Sequence, residues 1–221
     1  QPVLGQYQRA IQNYDKAIQL NPNDAAAYVS RGNAYNELGQ YQRAIQDYDK
    51  AIQLDPNDAM AYNNRGIAYG TLDQPQRAIQ DFDKAIKLDP TYVYAYYTRG
   101  LPRYQLGQYE QAIQDYDEAI GLDPTYVYAY YNRGLAHQLL GNSTEAERDL
   151  QKAKGTRIYS LGYTAKKIAM CRLADLTTRF TLLFSPGDRA RLVRRMVRLT
   201  FTGFMPRTPA WETRKPRLSC Q

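Results

Sequence analysis

Apolar residues in the first two thirds of the chain recur at helical spacing. Ile45, Tyr48, Ala51 and Ile52 fall at i, i+3, i+6 and i+7, a single stripe along a helix. Upstream, Tyr28, Gly32 and Tyr35 share one face of a helix predicted over about 25–38. Gly39 suits the left-handed residue that ends such a helix, and Pro56 stops the one that follows. Asp24 and Asp58 precede first-helix starts as N-caps, and Thr91 and Thr125 are expected to cap where Tyr92 and Tyr126 displace that aspartate.

This two-helix pattern returns every thirty-four residues. Arg-Gly stands at 31/32, 65/66, 99/100 and 133/134, and Pro at 22, 56, 90 and 124. Ala-Ile recurs at 10/11, 44/45, 78/79 and 112/113, and again at 17/18, 51/52, 85/86 and 119/120. Glycine marks the turn column at Gly5, Gly39, Gly107 and Gly141, interrupted by Asp73. The ten residues LDPTYVYAYY appear unchanged at Leu88–Tyr97 and Leu122–Tyr131. A unit of this size cannot bury its apolar stripe alone, so consecutive copies must stack to share one core.

Small residues at Gly32, Ala44 and Ala51 let the helices of a pair approach, while Tyr28, Tyr41 and Tyr48 are expected to fill the gaps between pairs. The succession Tyr28, Arg31-Gly32, Tyr35, Ala44, Tyr48, Ala51 and Pro56 resembles the tetratricopeptide repeat family. The resemblance implies an all-α fold, a right-handed superhelical solenoid of antiparallel helix pairs. It covers residues 1–154, as a half repeat over 1–23 and full repeats over 24–57, 58–91, 92–125 and 126–154. One departure repeats: Arg31, Arg65, Arg99 and Arg133 stand where the family usually has leucine. They share the period of Asp47, Asp81, Asp115 and Asp149, which fits an electrostatic ladder along the solenoid or, alternatively, a basic row facing a ligand.

In the family the first helix of each pair lines a concave face that commonly holds a peptide. Carried onto this chain, the groove positions include Asn33, Asn36, Asn63, Ile67, Tyr94, Tyr97, Tyr104, Tyr128, Tyr131, Leu135 and Gln138. Tyrosine offers large contact area at low rotamer cost, and asparagine amides could hold a peptide backbone. The competing use is packing of helix against helix. One subfamily grips a carboxylate tail with Lys, Asn and Arg. Here Asn33 and Asn64 match its asparagines, but Val29, Tyr94 and Thr98 occupy its cationic places, so such a clamp is not expected. The expected partner is therefore another protein, bound through a peptide segment by a non-enzymatic scaffold. The alternative is a substrate-recruiting domain cut from a larger enzyme or assembly factor, such as a sugar transferase acting on proteins.

Two local features strain the pattern. Pro102 lies inside the first helix of the third full copy, where it predicts a kink or early break near 98–102, and Arg103 replaces an aromatic beside it. Pro75 instead falls at a helix start, where proline is accepted. Residues 1–23 supply only a second helix, roughly Tyr7–Leu20. Together with an opening at Gln1 this suggests a truncated copy, whose uncovered face could also support self-association.

Charge divides the chain. Residues 1–154 carry 15 Lys/Arg against 19 Asp/Glu, whereas 155–221 carry 14 against 3, so the net +7 belongs to two unlike segments. In the basic segment, Arg191, Arg194, Arg195 and Arg198 flank an apolar stripe of Leu192, Val193, Met196 and Val197. It reads as a capping helix, as a contact for acidic lipid or nucleic acid, or as a disordered or non-native tail. No run reaches the length of a membrane span, and a soluble, cytoplasmic protein is the default expectation.

Chemistry-bearing groupings are missing from the sequence. There is no Gly-rich phosphate loop, no Ser/His/Asp or Cys/His set and no HExxH. His137 reads as a packing residue, Cys171 and Cys220 as separate thiols, and the recurring pairs Asp47/Asp49 and Asp115/Asp117 as solvated surface. No cofactor is implied.

Overall fold

A computed structural model describes residues 2–154. The helices in chain order are α1 (Pro2–Leu20), α2 (Ala25–Glu37), α3 (Tyr41–Leu54), α4 (Ala59–Thr71) and α5 (Pro75–Leu88), then α6 (Val93–Gln105), α7 (Tyr109–Leu122), α8 (Val127–Leu139) and α9 (Ser143–Lys154). No strand occurs among the described residues. Each helix packs on the next, so α3, α5 and α7 are each held between two first helices. The result is an all-α solenoid of antiparallel pairs. The expectations for residues 155–221, including Arg191, Arg194, Arg195 and Arg198, lie outside the described residues.

What sets the close approach within each pair is a missing side chain. A Cβ built on Gly32 would lie 2.7 Å from Cε1 of Tyr48, and one on Gly66 would lie 2.7 Å from Cε1 of Phe82. Gly100 meets Tyr116, and Gly134 meets Leu150, in the same way. Around these rings the alanine columns close completely. Ala44, Ala51, Ala78, Ala85, Ala112 and Ala119 are all fully buried, which is how interdigitated cores reach crystal-like density.

The turns follow the glycine column. Gly39, Gly107 and Gly141 take φ of 73°, 77° and 80°, the left-handed region that costs glycine nothing. Asp73 adopts the same conformation at φ 62° and accepts a hydrogen bond from Gln105 Nε2 at 2.8 Å.

Asp24 and Asp58 cap α2 and α4, accepting from Ala27 N at 3.2 Å and from Met60 N and Ala61 N at 2.9 and 3.1 Å. Thr91 and Thr125 do not take over this role. Tyr92 and Tyr126 hold the N-cap positions of α6 and α8 without a side-chain bond. The threonine hydroxyls donate instead to Asp89 and Asp123, at 2.7 and 2.6 Å, because those carboxylates already fold back on the threonine N–H groups.

Two further expectations are corrected. The early break at Pro102 does not occur: α6 spans thirteen residues, as α2, α4 and α8 do, with Pro102 buried inside it. Packing on α5 and α7 holds the helix through the missing hydrogen bond. The half repeat begins its helix at Pro2, so Gly5 is helical where its counterparts turn. Pro75 opens α5 as expected.

Candidate functional site

Two polar ladders and one aromatic cluster organise the first helices. In the first ladder every first-helix arginine bridges two carboxylates, each sixteen residues away on either side. Arg31 directs Nε and Nη2 to Asp47 at 2.8 and 2.7 Å and Nη1 to Asp15 at 2.7 Å. Arg65 does the same with Asp81 and Asp49, at 2.8, 2.7 and 2.6 Å. Arg99 binds Asp115 and Asp83, and Arg133 binds Asp149 and Asp117. The guanidiniums also lie over Tyr28, Tyr62, Tyr96 and Tyr130, 5.3–5.7 Å from the ring centroids.

The arginine column is therefore a structural ladder, and its guanidiniums are committed to carboxylates. The paired acids expected to be solvated divide into two classes. Asp47, Asp81, Asp115 and Asp149 are buried against their own repeat's arginine. Asp49, Asp83 and Asp117 are exposed and reach the arginine of the next repeat. Hydrogen bonding to Asp47 pushes the Arg31 guanidinium above its usual range, so it stays charged. Burial pushes the Asp115 carboxyl up, opposed by Arg99 and by Arg103, whose Nη1 sits 2.9 Å from Asp115 Oδ1.

The second ladder links the first helices to one another through amides and hydroxyls. Asn64 Nδ2 donates to Asn33 Oδ1 at 2.9 Å, and that oxygen also receives the Tyr48 hydroxyl at 2.8 Å. The Thr98 hydroxyl lies 2.8 Å from both Asn63 Oδ1 and the Tyr94 carbonyl and donates to one of them at a time. Asn132 Nδ2 donates to the Tyr97 hydroxyl at 3.1 Å. Asn64, Thr98 and Asn132 are thirty-four residues apart, and that spacing is the signal by which sequence alone could have found this inter-repeat link.

The aromatic cluster centres on Tyr97. Its ring stands 6.2 Å from Tyr94, 6.1 Å from Tyr116, 6.3 Å from Tyr128, and 5.2 Å from Tyr126 in an edge-on arrangement. Tyr104 meets Tyr109 edge-on at 5.4 Å. Burial pushes the Tyr104 phenol up to about 12.

The expected groove residues fall into two groups. Asn33 and Gln138 are exposed, and Asn36, Tyr94, Tyr104, Tyr128, Tyr131 and Leu135 are half-buried. Asn63, Ile67 and Tyr97 are 0, 7 and 2 % exposed, so these three are packing residues rather than open groove wall. For two of them the physical reason is that neighbouring helices close over them: Thr98 covers Asn63, and rings from α7 and α8 surround Tyr97. Met60 and Leu139, further groove positions that the family resemblance implies, are 45 and 54 % exposed.

His137 is half-buried near the end of α8, with Nδ1 3.3 Å from Asn142 Nδ2. Among the described residues no group of His, Cys, Asp and Glu could hold a metal ion, and no helix is long and apolar enough to cross a membrane.

Comparisons with known proteins agree with this architecture. Models described as TPR repeat and tetratricopeptide repeat match residues 4–39, 32–73 and 102–141, residues 59–92, and residues 82–114. No curated protein matches the chain. The chain is similar to the crystal structure of MamA at 31 % identity and TM-score 0.63, over 73 % of this chain and 92 % of that one. It is similar to YrrB, titled a TPR protein with an unusual peptide-binding site, at 25 % identity and TM-score 0.60, over 75 and 86 % of the two chains. The first TPR of Spaghetti (RPAP3), bound to the HSP90 peptide SRMEEVD, shares 32 % identity at TM-score 0.52, over 53 and 93 %.

Proposed function

The chain belongs to the tetratricopeptide repeat family, and we propose that it is a non-enzymatic scaffold that docks a peptide segment of a partner protein along its first helices. The observation that carries this reading is the run of partly exposed aromatic and aliphatic side chains on α4, α6 and α8. It comprises Met60, Tyr94, Tyr104, Tyr128, Tyr131 and Leu139. Aromatic side chains of this kind dominate binding energy at protein interfaces. The peptide-binding neighbours YrrB and Spaghetti support the reading.

The chemistry of the surface narrows the partner. None of the groove residues named above is charged, and Glu37, the charged residue that follows Asn36 at the end of α2, accepts a hydrogen bond from Tyr7. The four ladder arginines are held by carboxylates. An acidic peptide such as the SRMEEVD that Spaghetti binds would find Val29, Tyr94 and Thr98 in place of cations, and Val29 and Thr98 are buried. The fitting segment is internal and uncharged, with apolar residues opposite the tyrosines.

The test is selection from a display library of peptides lacking Asp, Glu, Lys and Arg, with the full chain as bait. Binding of the selected peptides should vanish in Tyr94→Ala and Tyr131→Ala. Unchanged affinity in both variants would move the site off the first helices.

A further inference from the structure

Two columns of the repeat are matched in chemistry except at one place. The second helices carry Tyr48, Phe82, Tyr116 and Leu150 against the glycine of their own first helix. The residue after each glycine is Asn33, Ile67, Leu101 and Leu135. In the first full copy the Tyr48 hydroxyl donates to Asn33 Oδ1 at 2.8 Å. In the second, Phe82 has no hydroxyl and Ile67 no acceptor; in the last, both positions are leucine. The third copy breaks the match. Tyr116 keeps its hydroxyl, while Leu101 offers nothing to receive it.

Tyr116 is fully buried, and its hydroxyl has no hydrogen-bond partner among the described residues. An unmet buried donor costs about 1–3 kcal/mol, which phenylalanine, the residue used at Phe82, would avoid. Leu101 and Tyr104 are both half-buried and pack on the cluster containing Tyr116 and Tyr97. Burial, with Tyr97, Asp115 and Tyr104 close by, holds the phenol protonated and able to donate.

We propose that the Tyr116 hydroxyl is a donor reserved for a backbone carbonyl of an extended, uncharged peptide segment lying across Leu101 and Tyr104. The bound segment supplies to Tyr116 what Asn33 supplies to Tyr48. This rests on the groove reading above. A rotamer change of Leu101 or Tyr104 uncovers the hydroxyl. A carboxylate is the wrong acceptor here, since Arg99 and Arg103 are both committed to Asp115.

The experiment uses the full chain and a peptide selected from the uncharged display library. Tyr116→Phe is expected to weaken binding by about tenfold, the equivalent of one lost hydrogen bond. Its thermal midpoint should equal or exceed that of the unaltered chain. Leu101→Asn, which gives the hydroxyl an internal acceptor, should weaken binding to a similar degree and add nothing to Tyr116→Phe.

Unchanged binding by Tyr116→Phe overturns the proposal, as does a loss of stability that accompanies the loss of affinity. Replacing each Asn or Gln of the peptide by alanine should leave affinity intact; a tenfold loss there assigns the carbonyl to a side chain and overturns the backbone assignment. If no peptide is selected at all, the groove reading fails with it. If Tyr94→Ala and Tyr131→Ala abolish binding while Tyr116→Phe does not, only the role of the hydroxyl fails.

Discussion

Arg65 lays Nε and Nη2 along the two carboxylate oxygens of Asp81 at 2.8 and 2.7 Å, pinning α4 to α5 with a two-pronged ion pair. Its third donor, Nη1, reaches back to Asp49 on α3, so one side chain ties three consecutive helices. Removing one member of a buried pair strands the other charge. Arg65→Leu should therefore cost about 3 kcal/mol by chemical denaturation, while Arg65→Leu with Asp81→Leu recovers most of the loss. A neutral single variant would show that packing alone holds these helices.

The glycine–aromatic contact should be equally intolerant. Gly66→Ala places a methyl group 2.7 Å from the Phe82 ring and should destabilise by about 1–3 kcal/mol despite alanine's better helix propensity. Phe82→Leu in the same chain replaces the ring by a shorter side chain and should restore part of that. Thermal unfolding of the two variants reads the coupling directly.

Asp73 tests the turn. Asp73→Ala keeps the left-handed conformation, for which alanine pays about 1–2 kcal/mol, and loses the Gln105 hydrogen bond. Asp73→Gly loses the same bond but gains a residue at ease in that conformation. Alanine should lower the unfolding midpoint and glycine leave it nearly unchanged; equal losses would mean that the hydrogen bond, not the backbone, sets the stability.

Alkaline unfolding should report the buried phenols. Tyr104 titrates near 12 when folded, raised by burial, against about 10 for an exposed tyrosine. A folded value above the unfolded one means that the contribution of Tyr104 is fully present below about pH 10 and is lost as pH rises toward 12. Tyr104→Phe, which cannot ionise, should move the alkaline midpoint measured by circular dichroism to higher pH. A midpoint that stays put or falls would contradict the assignment.

Much of the site was legible only as a set of columns. The period exposed Arg31, Arg65, Arg99 and Arg133 beside Asp47, Asp81, Asp115 and Asp149, but not the second carboxylate that each arginine takes from the preceding second helix. Asp47 and Asp49 look alike in sequence, and only the packing of α3 between α2 and α4 buries one and exposes the other. Tyr97 and Tyr131 share a repeat position. Rings from α7 and α8 enclose Tyr97, whereas Tyr131 remains half-buried.

Composition and period by themselves determined the helix pairs, their turns and the family, because helical spacing, left-handed glycines and stacking small residues are local requirements written at fixed intervals. Tertiary structure alone decided which member of each repeated set is buried and which stays near the surface. Identical decapeptides acquire different surroundings when their neighbours differ, and the Tyr116 hydroxyl has no partner among the described residues because Leu101, on a different helix, stands where the first full copy has Asn33.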